Sequence, residues 1–266
     1  MNLYTASSGL GKMEQLAVGD SPLHRLPPMV KLITTLVYIV AVISFPINNV
    51  SGLTPYIFYP ACLMPVSGTP AKPFFARMLV ALPFALLGGV SNLFILRDTA
   101  FMLGGLAVTD GLISFVSIML KMLLTVSAVL LLAATTPFTH ICRALSQLRL
   151  PGVICLQLLL TYRYIAVLIG EMITAVTAYR LRSPLRRGIH IRHIGSFLGV
   201  LLLRSMERAD RVYQAMLCRG FDGTWDWVRG RRAGAASLAY AAIIIALCVL
   251  LRFFDLSEAL GNLFVG

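Results

Sequence analysis

The chain is 266 residues long, 58% hydrophobic and 13% charged, with a formal net charge of +12. A soluble domain carries roughly 25% charged residues, so this composition excludes an ordinary soluble enzyme and points to an integral membrane protein. A basic balance suits nucleic acid or the cytoplasmic loops of a membrane protein. Its placement favours loops, because residues 137–236 hold fifteen arginines against five acidic residues, between apolar segments.

Residues 1–27 contain Lys12, Glu14 and Asp20 and lack the apolar core of a secretory signal, so they read as a cytoplasmic leader. A membrane span needs about 20 apolar residues. Residues 28–45 meet this, with Lys31 near the start and Pro46 at the end. Residues 53–66 are apolar but short and carry Pro55, Pro60 and Pro65; they predict a distorted span or a re-entrant piece. Residues 74–96 predict a span interrupted by Pro83 and Gly88-Gly89. Residues 111–135 predict another, with Lys121 inside it, and residues 237–254 the last. With a cytoplasmic N-terminus and five spans, Lys12, Arg25, Lys31, Lys72, Arg77 and the basic block all fall on the inner side. Only Arg97, beside Asp98, falls outside, and deleting the short span breaks the pattern. The expectation is an all-α integral membrane protein of about five transmembrane helices. The leader is followed by a transmembrane region (28–136), a cytoplasmic region of long amphipathic helices (137–236), and a final span with a short external tail (237–266).

Within the basic block, residues 139–148 predict a short amphipathic helix ended by Pro151-Gly152. Residues 153–181 predict a long helix. Its first half is apolar enough to span, but Arg163, Glu171 and Arg180 interrupt it. Ser183-Pro184 breaks it and 185–193 form a basic loop. Residues 195–219 predict a helix with Arg204, Arg208, Arg211 and Arg219 on one face and Leu198, Leu202, Met206, Ala209, Tyr213 and Met216 on another. Glu207 and Arg211 form an i,i+4 pair. Too charged to cross a bilayer and too apolar to stand in water, this helix must lie against a membrane surface, a protein, or both.

Both long helices end alike, in Leu181-Arg182-Ser183 and in Cys218-Arg219-Gly220. An arginine there meets unpaired carbonyls and offers a planar fork to a partner's carboxylates or carbonyls. From spacing alone, helix capping, headgroup anchoring and docking all stay open.

Thr161-Tyr162-Arg163-Tyr164, Glu171, Ala178-Tyr179-Arg180-Leu181-Arg182-Ser183 and the whole stretch 203–223 resemble the signature of energy-coupling-factor T components. The CbiQ-like branch, associated with cobalt transport, is nearest; Asp20-Ser21-Pro22-Leu23-His24-Arg25-Leu26 and Lys31 resemble that family's start. Leu181, Ser183 and Cys218 depart from the family's Ala-Arg-Gly-type motifs, while both arginines remain. The resemblance implies a subunit joining a substrate-capture membrane protein (CbiM-like) to two cytoplasmic ATP-binding subunits (CbiO-like), in the cell membrane of a prokaryote. It implies docking of the ATPases at Arg182, Ser183, Arg219 and Gly220. Arg163, Glu171, Arg204, Glu207, Arg208 and Arg211 would support the coupling helices. It implies uptake of cobalt or nickel ion, with a T component shared by vitamin-specific capture subunits as the alternative. The expectation is a non-enzyme without cofactor, and the sequence holds no G-x-x-x-x-G-K-[ST] phosphate loop.

Other features are weaker. The five scattered cysteines give no metal or disulfide framework. His190 and His193 stand among arginines, which disfavours a bound cation. Lys121 has no partner that the sequence identifies. Gly88-Gly89 and Gly104-Gly105 suit close helix packing or, for the second pair, a loop. Trp225, Trp227 and Arg229–Arg232 read as an interfacial anchor. A self-contained secondary transporter would need converging charges in the spans. A membrane-tethered nucleic-acid binder ranks last, for want of an aromatic stacking platform, and no nucleic-acid partner is expected.

Overall fold

Pro28 starts the first helix because it supplies the right φ and lacks only an N–H that would go unpaired there. This computed structural model describes residues 19, 21–46, 50–95, 99–103, 106–182, 191–223 and 234–253. Its elements are α1 (Pro28–Ile43), a 3-10 segment (Ser51–Ile57), α2 (Phe58–Ser67), α3 (Ala71–Ile95), an antiparallel pair β1 (Thr99–Leu103) and β2 (Leu106–Thr109), α4 (Asp110–Thr135), α5 (Phe138–Gln147), α6 (Gly152–Arg182), α7 (Ile191–Leu217) and α8 (Ala235–Phe253). The chain divides into two units, residues 14–141 with 231–266, and residues 1–13 with 142–230.

In the first of these, α1 packs on α4 and α8, and α3 on α4. The face of α4 that turns inward reads Ser114, Ser117, Lys121, Leu124, Ala128, Leu131, Thr135. This alternating three-four spacing is the seam of a helix bundle, and its small residues let neighbouring helices close in. Tyr38, Val42, Leu53, Tyr56 and Leu124 are fully buried at its centre. Both tyrosine hydroxyls are satisfied, Tyr38 donating to the Tyr56 carbonyl at 2.9 Å and Tyr56 to the Cys248 carbonyl at 2.8 Å. Buried hydroxyls in α1 turn back on their own helix, Thr34 to the Val30 carbonyl and Thr35 to the Lys31 carbonyl. On the outside, Val80, Phe84 and Leu87 of α3 are exposed, as side chains facing lipid are.

Residues 53–66 form no continuous helix. The 3-10 turn holding Pro55 gives way to a ten-residue helix that ends at Gly68 in the left-handed region (φ 66°). Prolines remove ladder donors, which accounts for the break in this stretch. Among the described residues four helices are long and apolar enough to cross a membrane: Ala71–Leu93, Asp110–Thr135, Gly152–Arg182 and Ala235–Arg252; Pro28–Ile43 is shorter. The set differs from the five spans expected. Three of the expected spans have counterparts in it, 28–45 is the shorter α1, 53–66 has none, and α6 is added, although its four charges leave no uncharged run longer than eleven residues. Gly89 is the glycine of its pair that matters for packing, since a Cβ there would stand 2.7 Å from the Phe115 ring; at Gly88 it would meet nothing.

Three cations in this unit are held by helix ends. Lys31 donates to the Thr135 carbonyl at 2.8 Å and Lys121 to the Phe45 carbonyl at 2.6 Å. Arg252 reaches the Ser44 carbonyl at 3.3 Å and lies 4.7 Å from the Phe45 ring centroid. Unpaired carbonyls at a helix C-terminus carry partial negative charge, which is what a cation in apolar surroundings needs.

Candidate functional site: two crossing helices and their arginine tips

The second unit is built from α5, α6 and α7. Cys142 on α5 and Cys155 on α6 are fully buried, and burial, with the neighbouring Cys155 thiol, pushes the Cys142 thiol up. α5 ends in a Schellman turn. Leu150 N–H reaches the Leu145 carbonyl and Arg149 N–H the Ser146 carbonyl, with Arg149 at φ 65° where glycine is usual; Pro151 follows.

The end of α7 has the same architecture. Phe221 N–H bonds the Met216 carbonyl at 3.0 Å and Gly220 N–H the Leu217 carbonyl at 2.9 Å. Gly220 takes φ 81°, and a Cβ there would meet nothing within 4 Å. The glycine therefore answers a backbone demand, not a lack of room. Arg219 is the residue between the last turn and this glycine. It is exposed, on a backbone whose direction the two bonds fix. Arg182 closes α6 with Arg180 in the last turn, also exposed. Ser183 and His190 lie outside the described residues, as do Trp225, Trp227 and Arg229–Arg232.

α6 and α7 are joined midway. Glu171 and Arg208 form an ion pair across the two helices, with side chains 20% and 38% exposed. On one side of the pair a groove of about 540 Å³ separates the start of α6 from the end of α7, lined by Val153, Leu160, Tyr164, Val212, Met216 and Phe221 among others. On the other side a groove of about 440 Å³ separates the end of α6 from the start of α7. It is lined by Thr174, Arg182, Ser196, Phe197, Leu201 and Arg204 among others, with the Tyr179 and His193 rings 6.1 Å apart. The helices thus run in opposite directions and diverge on both sides of the ion pair.

The arginines expected to share one face are sorted by this geometry. Arg208 turns into the crossing; Arg204 lines the second groove; Arg211 stays outside, 3.8 Å from Glu207, both about two-thirds exposed. An exposed pair of that kind contributes only a few tenths of a kcal/mol. Arg163 is exposed on α6. The half-buried stripe of α7 is Phe197, Leu201, Ser205, Arg208, Val212 and Met216, while Leu198, Leu202, Met206 and Tyr213 of the expected apolar face are more than half exposed. Sequence reasoning had both Glu171 and Arg208 but did not pair them; thirty-seven residues separate them.

The sequence profile of the family described as CbiQ, cobalt transport protein, matches residues 19–230. The chain belongs to that family. With its apolar helices, it is a multi-pass membrane component of a transporter. It is 25% identical over 224 residues to the energy-coupling factor transporter transmembrane protein EcfT of Ruminiclostridium cellulolyticum, covering 79% of this chain and 83% of that protein. It is 32% identical over 98 residues to the nickel permease LarQ of Lactiplantibacillus plantarum, covering 37% and 36%. It is 30% identical over 114 residues to the cobalt transport protein CbiQ of Rhodobacter capsulatus, covering 42% and 46%. The chain spans about half or less of the length of several of its curated relatives.

Proposed function

We propose that this CbiQ-family chain is the coupling subunit of an ATP-driven importer of the energy-coupling-factor type, and that it carries the motion of two cytoplasmic ATPases to a membrane subunit that captures cobalt or nickel ion. The observation that carries the reading is the end of α7. Two backbone bonds and a left-handed Gly220 hold Arg219 at an exposed helix tip, with open space beside the glycine for an approaching backbone. The backbone that carries the guanidinium is already ordered, so less main-chain freedom is lost when the guanidinium meets a carboxylate or carbonyl on the ATPase. Arg182 is the second such tip, with Ser183 next to it. α6 and α7 are the levers; Arg163, Arg204, Glu207 and Arg211 are their outward charges, and Glu171 and Arg208 bind them together. A lever transmits work only if its two positions are tied to different states of the partner. The exposed apolar residues of α7 suit the capture subunit or the bilayer surface. The N-terminus is cytoplasmic in this reading, and the membrane is the plasma membrane of a prokaryote.

Relatives named for nickel and for cobalt support a divalent transition metal as cargo. The deciding experiment replaces Arg182 and Arg219 together by Glu. The variant is expected to insert normally, to lose the ATPase subunits on affinity purification, and to lose uptake of radioactive cobalt by cells that also carry the capture subunit. Full uptake by that double variant overturns the assignment.

A further inference from the structure

α4 ends at Thr135 and α5 begins at Phe138, so the joint between them is only Thr136 and Pro137. Both residues are stiff. The ring of Pro137 locks its own φ, and its clash with the residue before confines Thr136 to extended backbone. Thr136 stands at φ −140° and ψ 114°, within that region, with its side chain buried. On the other side Pro137 is tied into α5, its carbonyl accepting from His140 N–H at 2.9 Å and from Ile141 N–H at 3.1 Å. The boundary between the two units falls inside α5, between Ile141 and Cys142, so the joint belongs wholly to the first unit.

A stiff joint passes on a displacement only if its base is held. The base is the end of α4, whose last carbonyls have no partner within the helix. The Thr135 hydroxyl turns back to the Leu131 carbonyl at 2.8 Å. The Thr135 carbonyl instead accepts from the Lys31 ammonium at 2.8 Å, from a residue of α1 that is 5% exposed. The cavity beside Lys31 measures about 10 Å³ and is lined by Leu23, Leu63, Leu131 and Tyr240 among others. That is about the space one water needs, too little for the lysine side chain to swing aside.

We propose that Lys31 is a positioning residue for transport: by pinning the end of α4 at a stiff two-residue joint, it makes a displacement of α5 pass into α1 and α4 instead of being absorbed where the helices meet. This step rests on the coupling reading above.

The test uses the full chain, assembled with its ATPase and capture subunits in liposomes, and reads cobalt taken up per ATP hydrolysed. Lys31→Met keeps the apolar stem and removes the ammonium. It is expected to leave the ATPases bound and hydrolysing while cobalt per ATP falls about tenfold, the size of a typical coupling between sites. Pro137→Gly leaves the lysine in place and loosens the joint itself, and should lower the ratio similarly. Gly89→Ala, which crowds Phe115 elsewhere in the same unit, serves as the control for lost stability and should keep the wild-type ratio. Amide hydrogen exchange of residues 136–141 should speed up in Lys31→Met and in Pro137→Gly, and not in Gly89→Ala. A ratio unchanged by Lys31→Met, or lowered as far by Gly89→Ala, overturns the proposal. If Lys31→Met inserts poorly, a wild-type ratio in Pro137→Gly overturns it alone. Wild-type uptake that proceeds without ATP refutes the coupling reading itself, whereas ATP-driven wild-type uptake with an unaltered ratio in both variants sinks only the role of Lys31.

Discussion

Lys31 and Lys121 hold the same two helices from opposite ends. Lys31, near the start of α1, bonds the carbonyl of the last residue of α4, and Lys121, in the body of α4, bonds the Phe45 carbonyl just past the end of α1. Fourteen residues separate Lys31 from Phe45 and fourteen separate Lys121 from Thr135. The two clamps thus fix one antiparallel register over about 21 Å. Replacing Lys31 by Met should lower stability in detergent by about 1–3 kcal/mol, the value of a buried hydrogen bond to a charged group. Lys121→Met should cost less, because Lys121 is only half-buried. Thermal unfolding of both variants checks the order; equal losses would contradict it.

Gly88 and Gly89 are adjacent and should respond oppositely. Gly89→Ala drives a methyl into Phe115 and should destabilise by about 1–3 kcal/mol, the usual cost of overpacking. Gly88→Ala meets nothing and should be neutral or stabilising through helix propensity. Melting temperatures of the two single variants in one detergent decide this.

The two Schellman turns offer a second opposed pair. Gly220→Ala places a Cβ at φ 81°, at a cost of about 1–2 kcal/mol, which should fray the end of α7 and weaken recovery of the ATPases. Arg149→Gly relieves the same strain at φ 65° and should raise stability by up to about 1 kcal/mol. Copurification reads the first and the melting temperature the second.

The cysteines give a probe of the second unit. Cys218 is exposed one residue before Arg219, and should take up a maleimide in the folded protein and block ATPase binding once labelled. Cys142 is buried, and burial favours its neutral thiol, so the folded state loses ground only if pH rises far enough to ionise it. Cys142 and Cys155 should label only after denaturation, even in mildly alkaline buffer. Mass spectrometry of labelled peptides distinguishes the sites.

Much of this was legible along the chain. The apolar runs of α1, α3, α4 and α8 stood out because lipid demands them, and the prolines of 53–66 announced a break. The Arg219-Gly220 end was readable because a glycine after the last periodic residue is a helix-stop signal. Lys121 drew attention, but its partner is a backbone carbonyl seventy-six residues away, and any residue type can supply a carbonyl. Arg149 was invisible for the converse reason, since nothing in its identity predicts a left-handed conformation. The span-length character of α6 was masked by Arg163, Glu171 and Arg180, which interrupt its apolar pattern. The pairing of β1 with β2 went unread because it is short.

Among the described residues, none of the three clamping cations of the first unit depends on a carboxylate. Their acceptors are peptide oxygens, which take up no proton as the medium turns sour. The helix contacts made by Lys31, Lys121 and Arg252 should therefore outlast acidification that dissolves ordinary salt bridges, and an envelope exposed to acid surroundings could keep this bundle assembled without any adaptation of its side chains.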